Sequence, residues 1–438
     1  MQRKRLLLKL SYDFSALWII DWMKAICRIP SFYCNFGPSL FQVMKILLAF
    51  FRYFTGALFI FSGGVKLIDP VGTQIKMEEY FEVFAQAFHP FFEHFVAFAL
   101  PIAVFMCVAE VVMGVALLLY YRMRINMWFF LLLMIFFTIL TGYTALALYA
   151  KEHAESGFAI WFASFVGVES PAQINAVSDC GCFGDFIKLR PWESFLKDLI
   201  LMVPTIVLFL KRRELESELR ESVNAGAVLL SLGLSCFVAW HAIAHLPAFD
   251  FRPYKVGADI KAGMQPSEPL RYLYYLEKNG ETKEFTDYPS DTTWKYVSME
   301  VANPEAKPKI IDYSVWNDDG DFTQQTFEGA RLMVIIRKAA DCKPEELKKA
   351  AELCRNLEKL SNVKIHCMIL TGSSAEDTDK LRHEAQLAVP FYYADGTVLK
   401  TIMRSNSGIW LLNNAVVKGK WHSNDTPDVA EVLDALKK

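Results

Sequence analysis

The chain changes character near residue 247. Before it, apolar residues gather in runs of about 20, the length that crosses a hydrocarbon core. After it, shorter apolar segments alternate with charged ones. Five stretches of the first part have the length or nearly so. Residues 44–68 include Arg52 and the Gly63-Gly64 pair, and residues 95–121 include Pro101 and Glu110. Residues 126–150 form the cleanest run. Residues 192–210 form the weakest, because Lys197 and Asp198 leave only 199–210 uncharged, and residues 225–245 are the fifth. The pattern predicts an α-helical membrane bundle of four helices plus a fifth.

The second part reads as a soluble α/β domain. Residues 272–285 predict a hairpin turning at Asn279-Gly280. Strands follow at 331–337, 363–371, 391–393, 408–413 and 415–421, the last two paired across Asn413-Asn414. Helices are expected at 344–360, 378–386 and 427–436. The first of these puts Leu347, Ala351, Cys354 and Leu357 on one face. Cys354 and Cys367 fall on core faces and are expected to be packing residues.

Charge sets the orientation. Arg122 with Arg124, and Lys211-Arg212-Arg213, are compact basic turns and belong in the cytoplasm. The loops 69–94 and 151–191 are rich in acids and belong outside, and five crossings put the soluble domain there too. In a diderm bacterium that compartment is the oxidising periplasm. At the N-terminus, Lys9, Asp13, Asp21 and Lys24 interrupt any signal-peptide core, so no cleavable signal is predicted. A start at Met44 fits the pattern as well as one at Met1.

Composition sharpens the division. Of 46 basic and 48 acidic residues, 26 and 29 lie in residues 247–438. With 53% hydrophobic residues the chain cannot be mainly disordered. A net charge of −2 without a long basic run gives no basis for nucleic-acid binding.

Nine cysteines include one close pair, Cys180-Gly181-Cys182. A disulfide between them would close a very small ring, with Gly181 absorbing backbone strain. A strained bridge is easily reduced and suits exchange. A structural disulfide and a pair of idle thiols remain as alternatives. Two thiolates without a nearby His do not make a metal site. An ionised Glu110 in mid-helix costs at least ~2.5 kcal/mol on insertion scales. It is expected to face the bundle interior and pair with Arg52, as structure or as part of a proton path. Lys66, near its helix end, is expected to snorkel. His89 and His94 lie in an amphipathic stretch, 76–95, expected on the outer membrane surface as bystanders.

The string Phe61-Ser62-Gly63-Gly64-Val65-Lys66-Leu67-Ile68-Asp69-Pro70, with Glu110 and Gly114, resembles the DoxX family signature. Asp179-Cys180-Gly181-Cys182-Phe183-Gly184-Asp185 resembles the branch containing the methylamine-utilisation protein MauE. The resemblance spans residues 44–210. It implies a four-helix membrane bundle and, for MauE, a part in making disulfides in a periplasmic partner. The soluble half resembles a thioredoxin-like domain at Ala340-Asp341-Cys342-Lys343-Pro344-Glu345. That likeness implies that Cys342 stands at the nucleophile position, on a helix N-terminus that lowers thiol pKa. Glu345 replaces the resolving Cys, and Ser407 stands where the family has its cis-proline. Both departures point to a degenerate binding domain.

The chain therefore divides into an extension (1–43), a DoxX/MauE-like membrane domain (44–210), a turn and fifth helix (211–246), a linker with a hairpin (247–310) and a degenerate thioredoxin-like domain (311–438). The expected function is periplasmic thiol–disulfide redox by a multi-pass protein of the bacterial inner membrane. Cys180, Cys182 and, less directly, Cys342 would carry it. Expected partners are lipid and a periplasmic client or thiol oxidoreductase; no cofactor is expected beyond a quinone-linked electron partner. A non-enzymatic assembly factor that holds a client is the rival. Transport ranks third, since it needs several inward-facing ionisable groups and the sequence offers chiefly Arg52 and Glu110. The basic turns make the orientation testable: a periplasm-active reporter fused after Lys438 should be active, and one fused after Arg213 silent. The reverse result would invert the compartments.

Overall fold

Pro70 breaks the first long helix into two. The computed structural model describes residues 38–177, 181–215, 221–278, 280–361 and 363–438. Helix α1 (Pro38–Ile68) ends where Asp69 caps α2 (Pro70–Ala87), accepting a hydrogen bond of 3.0 Å from the Gly72 amide, with Pro70 preset for the first turn. A 3-10 stretch (Pro90–Phe98) runs into α3 (Ala99–Leu118), and α4 spans Met123–Glu152. The outer loop contains the short α5 (Gly157–Phe165), before α6 (Pro191–Lys211) and α7 (Glu221–Ala244). Of the predicted extension, residues 1–37 lie outside the described residues and 38–43 open α1.

Small residues let α1 and α3 approach closely. A Cβ on Gly63 would stand 2.8 Å from Glu110 Cβ, and one on Gly114 2.8 Å from Ile60. Helix α6 lies antiparallel on α4. Thr141 meets Asp198 near one end (2.9 Å), and the Trp128 and Phe209 rings meet near the other, with centroids 4.6 Å apart. Among the described residues, four helical segments are long and apolar enough to cross a membrane: 42–68, 90–118, 123–152 and 221–244. Helix α6 has the length, but its charges set it apart, as its sequence foretold. Large apolar side chains such as Phe105, Ile139 and Leu230 face outward from these helices, as lipid contact requires.

Beyond α7 come a four-residue helix, α8 (Ile260–Gly263), and a meander of β1 (Tyr272–Lys278), β2 (Glu281–Phe285) and β3 (Lys295–Val301), ordered β2-β1-β3. The hairpin is as predicted, although Asn279 lies outside the described residues. The sequence reading passed over β3, whose alternation of Val297, Met299 and Val301 with Ser298 and Glu300 did signal a strand.

The remaining elements are β4 (Val315–Asn317), β5 (Gly320–Asp321), β6 (Ala330–Ile336), α9 (Pro344–Glu358), β7 (Ile365–Thr371), α10 (Ala375–Glu384), β8 (Phe391–Ala394), α11 (Gly396–Ile402), β9 (Ser407–Asn413), β10 (Val416–His422) and α12 (Val429–Lys437). They build a seven-stranded sheet ordered β10-β9-β6-β7-β8-β4-β5. Strands β6, β7 and β8 run parallel, while β9 is antiparallel to β6 and β10 to β9. Both faces are covered. Leu332, Val334 and Ile336 pack against Leu347, Cys354 and Val432, while Met333 and Ile335 join Trp410, Val398 and Tyr254. Helix α11 and the β4–β5 hairpin were not predicted, being too short for a periodic signal.

The chain leaving α7 is bolted to this domain. Asn424 donates to the Ala244 carbonyl (2.7 Å), and His245 meets Asp425 at 2.8 Å. Asp250 accepts from Arg252 and from Lys420, each at 2.7 Å, and Arg252 also donates to the Thr401 carbonyl. Burial alone would raise the Asp250 carboxyl, but the two cations outweigh it and hold the group at about 2, below its ordinary 3.8. The lowered value favours folding above pH 3.8, and that contribution is lost as pH falls through about 2. Thermal unfolding of the detergent-solubilised protein should show this acid loss, and Asp250→Asn should lack it. An unchanged acid profile in the variant would assign the loss to another group.

Candidate functional site

A cavity of about 530 Å³ lies between the end of the bundle and the soluble domain. Its lower wall is apolar, with Phe59, Met106, Met134 and Leu140. Across the middle runs a band of polar side chains that the sequence had not brought together. Glu110 pairs with Lys66, and both are buried. Ser62 Oγ stands 2.9 Å from Glu110 Oε2 and 3.1 Å from the Cys182 carbonyl oxygen. Opposite, Lys197 Nζ meets Asp198 Oδ1 at 2.8 Å, and Thr141 donates to the other Asp198 oxygen at 2.9 Å.

Two expectations need correction. Glu110 does not pair with Arg52, which lies nearer the opposite end of α1; it donates to the Leu118 carbonyl at 3.0 Å and stacks over the Tyr120 ring. Lys66 does not snorkel. It turns inward to Glu110 on α3, and both side chains are buried. His89, read from sequence as a bystander, caps the following 3-10 stretch, accepting from the Phe91 amide.

Cys182 sits at the cavity's rim in a tight loop where Gly181 (φ +58°) and Gly184 (φ +53°) adopt left-handed backbone. Lys197 and Asp198 line the same cavity from α6, with Ser194 buried one turn before them. Burial pushes the Cys182 thiol up; Lys197, Lys66 and Ser194 oppose that, and Asp198 adds to it. Phe183 is buried beside it, 5.9 Å from the Phe61 ring, with Lys197 Nζ 5.2 Å from its own ring centre. Cys180 lies outside the described residues. Cys107, on α3, is fully buried and lines the same cavity.

The chain beyond α7 roofs the cavity, and Arg404 ties that roof to the bundle. Arg404 Nε donates to Asp69 and Arg404 NH2 to Asp185, each at 2.7 Å, while NH1 donates to the Lys400 carbonyl. A Cβ on Gly72 would stand 2.8 Å from Asp69 Oδ2 and 3.1 Å from the guanidinium, so glycine leaves room for this pair over the first turn of α2. Lys400 reaches Glu78 at 3.7 Å, and the Phe186 and Phe251 rings meet edge-on at 4.9 Å. The predicted outer loop and the soluble domain thus share one end of the bundle.

Cys342 precedes α9, as the sequence indicated, on the same side of the fold as Ser407, three residues beyond Arg404. It is buried in the sheet's core, and burial raises its thiol to about 11. At the resolving position, Glu345 is exposed on the first turn of α9 and pairs with Lys348.

Two family comparisons match parts of the chain. Residues 44–157 match the family described as Methylamine utilisation protein MauE. This segment of the membrane half is MauE-like. With its four apolar spans, this is a multi-pass membrane protein. Residues 270–302 match a domain of unknown function, DUF8463, which coincides with the β1–β3 meander. No curated protein matches the chain. The MauE-like segment supplies Ser62, Lys66, Cys107, Glu110 and Thr141 to the cavity, whereas Cys182, Lys197 and Arg404 lie beyond it.

Arg404→Ala removes two hydrogen bonds to carboxylates, each worth about 1.5–3 kcal/mol. Alkylation of Cys182 by a bulky maleimide should then quicken by about tenfold or more. Arg404→Lys should recover only part of the protection, because a single ammonium lacks the planar fork. An unchanged rate in Arg404→Ala would mean that the roof does not limit access.

Proposed function

We propose that this MauE-like protein carries out thiol–disulfide exchange through Cys180 and Cys182 at the periplasmic face of the bacterial inner membrane. The observation that carries the reading is the seat of Cys182: it lines a polar cavity with Lys66, Glu110, Lys197 and Asp198, and Ser62 Oγ stands 3.1 Å from its carbonyl oxygen. A merely structural bridge needs none of these. The oxidised pair takes two electrons from two client thiols, whose protons are released as the client disulfide forms. The resulting thiols pass two electrons and two protons to a quinone-linked acceptor, and the disulfide re-forms. The client is a periplasmic protein or a thiol oxidoreductase, and the MauE likeness supports a setting in methylamine utilisation.

We read the C-terminal domain as thioredoxin-like. Its order β7-β6-β9-β10, with the first pair parallel and the others antiparallel, supports this, as does Cys342 at the head of α9. The domain acts as a roof and client platform. Cys342 is buried with a raised pKa and faces Ser407, which favours that role over independent reductase chemistry. This docking also favours the second reading, an assembly factor in which Cys180 and Cys182 form a structural bridge.

Redox titration separates the two. Alkylation trapping across a graded glutathione series should give the pair a potential of roughly −120 to −270 mV, the range of catalytic pairs; structural bridges sit below about −300 mV. A pair that stays oxidised throughout, with Cys180→Ser leaving function intact, would leave only the assembly factor.

A further inference from the structure

Helix α5 is apolar on both of its faces. Ser156 starts it, accepting a hydrogen bond of 3.1 Å from the Ala159 amide, and its nine residues include no charged side chain. The inner face, with Ala159, Phe162 and Ala163, is buried with Tyr143, Ala147 and Ala150 of α4. Packing accounts for that face. Ile160, Trp161 and Phe165 lie on the other, and each is 59% exposed. They belong to an unbroken row of rings. It runs from Phe88, at the C-cap of α2, through Phe165, Trp161 and Phe158 to Tyr149 on α4 and Trp192 at the head of α6. Successive ring centroids are 6.0, 5.7, 5.9, 5.7 and 6.2 Å apart. Phe88 and Trp192, its two ends, are exposed as well. A surface facing water rarely carries so long a continuous apolar patch.

We propose that this row is seated in the lipid leaflet on the soluble domain's side, at the boundary of headgroups and acyl chains, with α5 lying on the bilayer. Continuity favours lipid over a protein partner. The row joins the ends of α4 and α6, whose exposed apolar residues continue along both helices, at Ile139 on α4 and at Leu196 and Ile200 on α6. Tyr and Trp collect at such a boundary because each ring is apolar yet carries one polar atom that seeks water. The charges agree with this placement. Lys151, Glu152 and Glu155 stand exposed just before α5 and Glu169 just after it, where headgroups and water meet them. The surface does not depend on the thiol chemistry, but it sets the depth of the cavity. Asp198 follows Trp192 on α6 by about 9 Å of helix rise. With Trp192 at the boundary, the Lys197–Asp198 pair lies on the membrane side of it.

The test is photolabelling of the full-length protein in phosphatidylcholine vesicles. The vesicles are doped with a phosphatidylcholine that carries a diazirine either beside the headgroup or near the middle of an acyl chain, and labelled peptides are located by mass spectrometry. An interfacial helix lies about 5–10 Å into the headgroup–acyl boundary, so the peptide containing α5 should take label from the shallow probe about threefold or more over the deep one. The peptide containing Ile139, in mid-span, should show the opposite preference. An unlabelled α5 beside a labelled Ile139 would overturn the proposal, and so would equal labelling of α5 by the two probes. Label that reached α5 only after the protein was diluted in lipid would also overturn it, by assigning the face to a second copy of the chain.

Discussion

A charge in a place with little water must have its counter-charge in reach, and the cavity is organised by that constraint. Lys66 answers Glu110, Lys197 answers Asp198, and Arg404 answers Asp69 and Asp185 together. Such pairs add little net stability, since desolvation consumes most of the attraction. Their value is positional. Each joins two elements that packing alone would let slide: α1 to α3, α6 through Thr141 to α4, and the soluble domain to both sides of the cavity. Removing one partner leaves the other stranded, so the arrangement is more specific than it is strong.

The fold was largely legible in the sequence because its signals are periodic. Long apolar runs marked the membrane helices, and short ones marked β6, β7, β9 and β10 to within a residue or two. What escaped was short or irregular. Helix α11 has seven residues and the β4–β5 hairpin fewer still, too few for either period to show.

The site was legible at its centre and not around it. The Cys-Gly-Cys string pointed to the right loop, and Glu110 stood out as an acid in mid-helix. Its partner did not, because a lysine near a helix end ordinarily reaches for water. Lys197 and Asp198 read as flaws in a membrane span, when the same adjacency in an apolar helix is the mark of a buried pair. Arg404 could not be read at all, since its partners lie 335 and 219 residues away. One clue was present: the outer loops carried many acids and few cations.

The soluble domain is fastened at two separate places, at Arg404 and where α7 ends against Asn424 and Asp425. Two fixed points leave a rigid body one freedom, rotation about the line between them. A domain held in this way cannot serve as a swinging arm that ferries electrons from the membrane to distant proteins. It can only rock, and whatever exchanges with Cys182 has to travel to it.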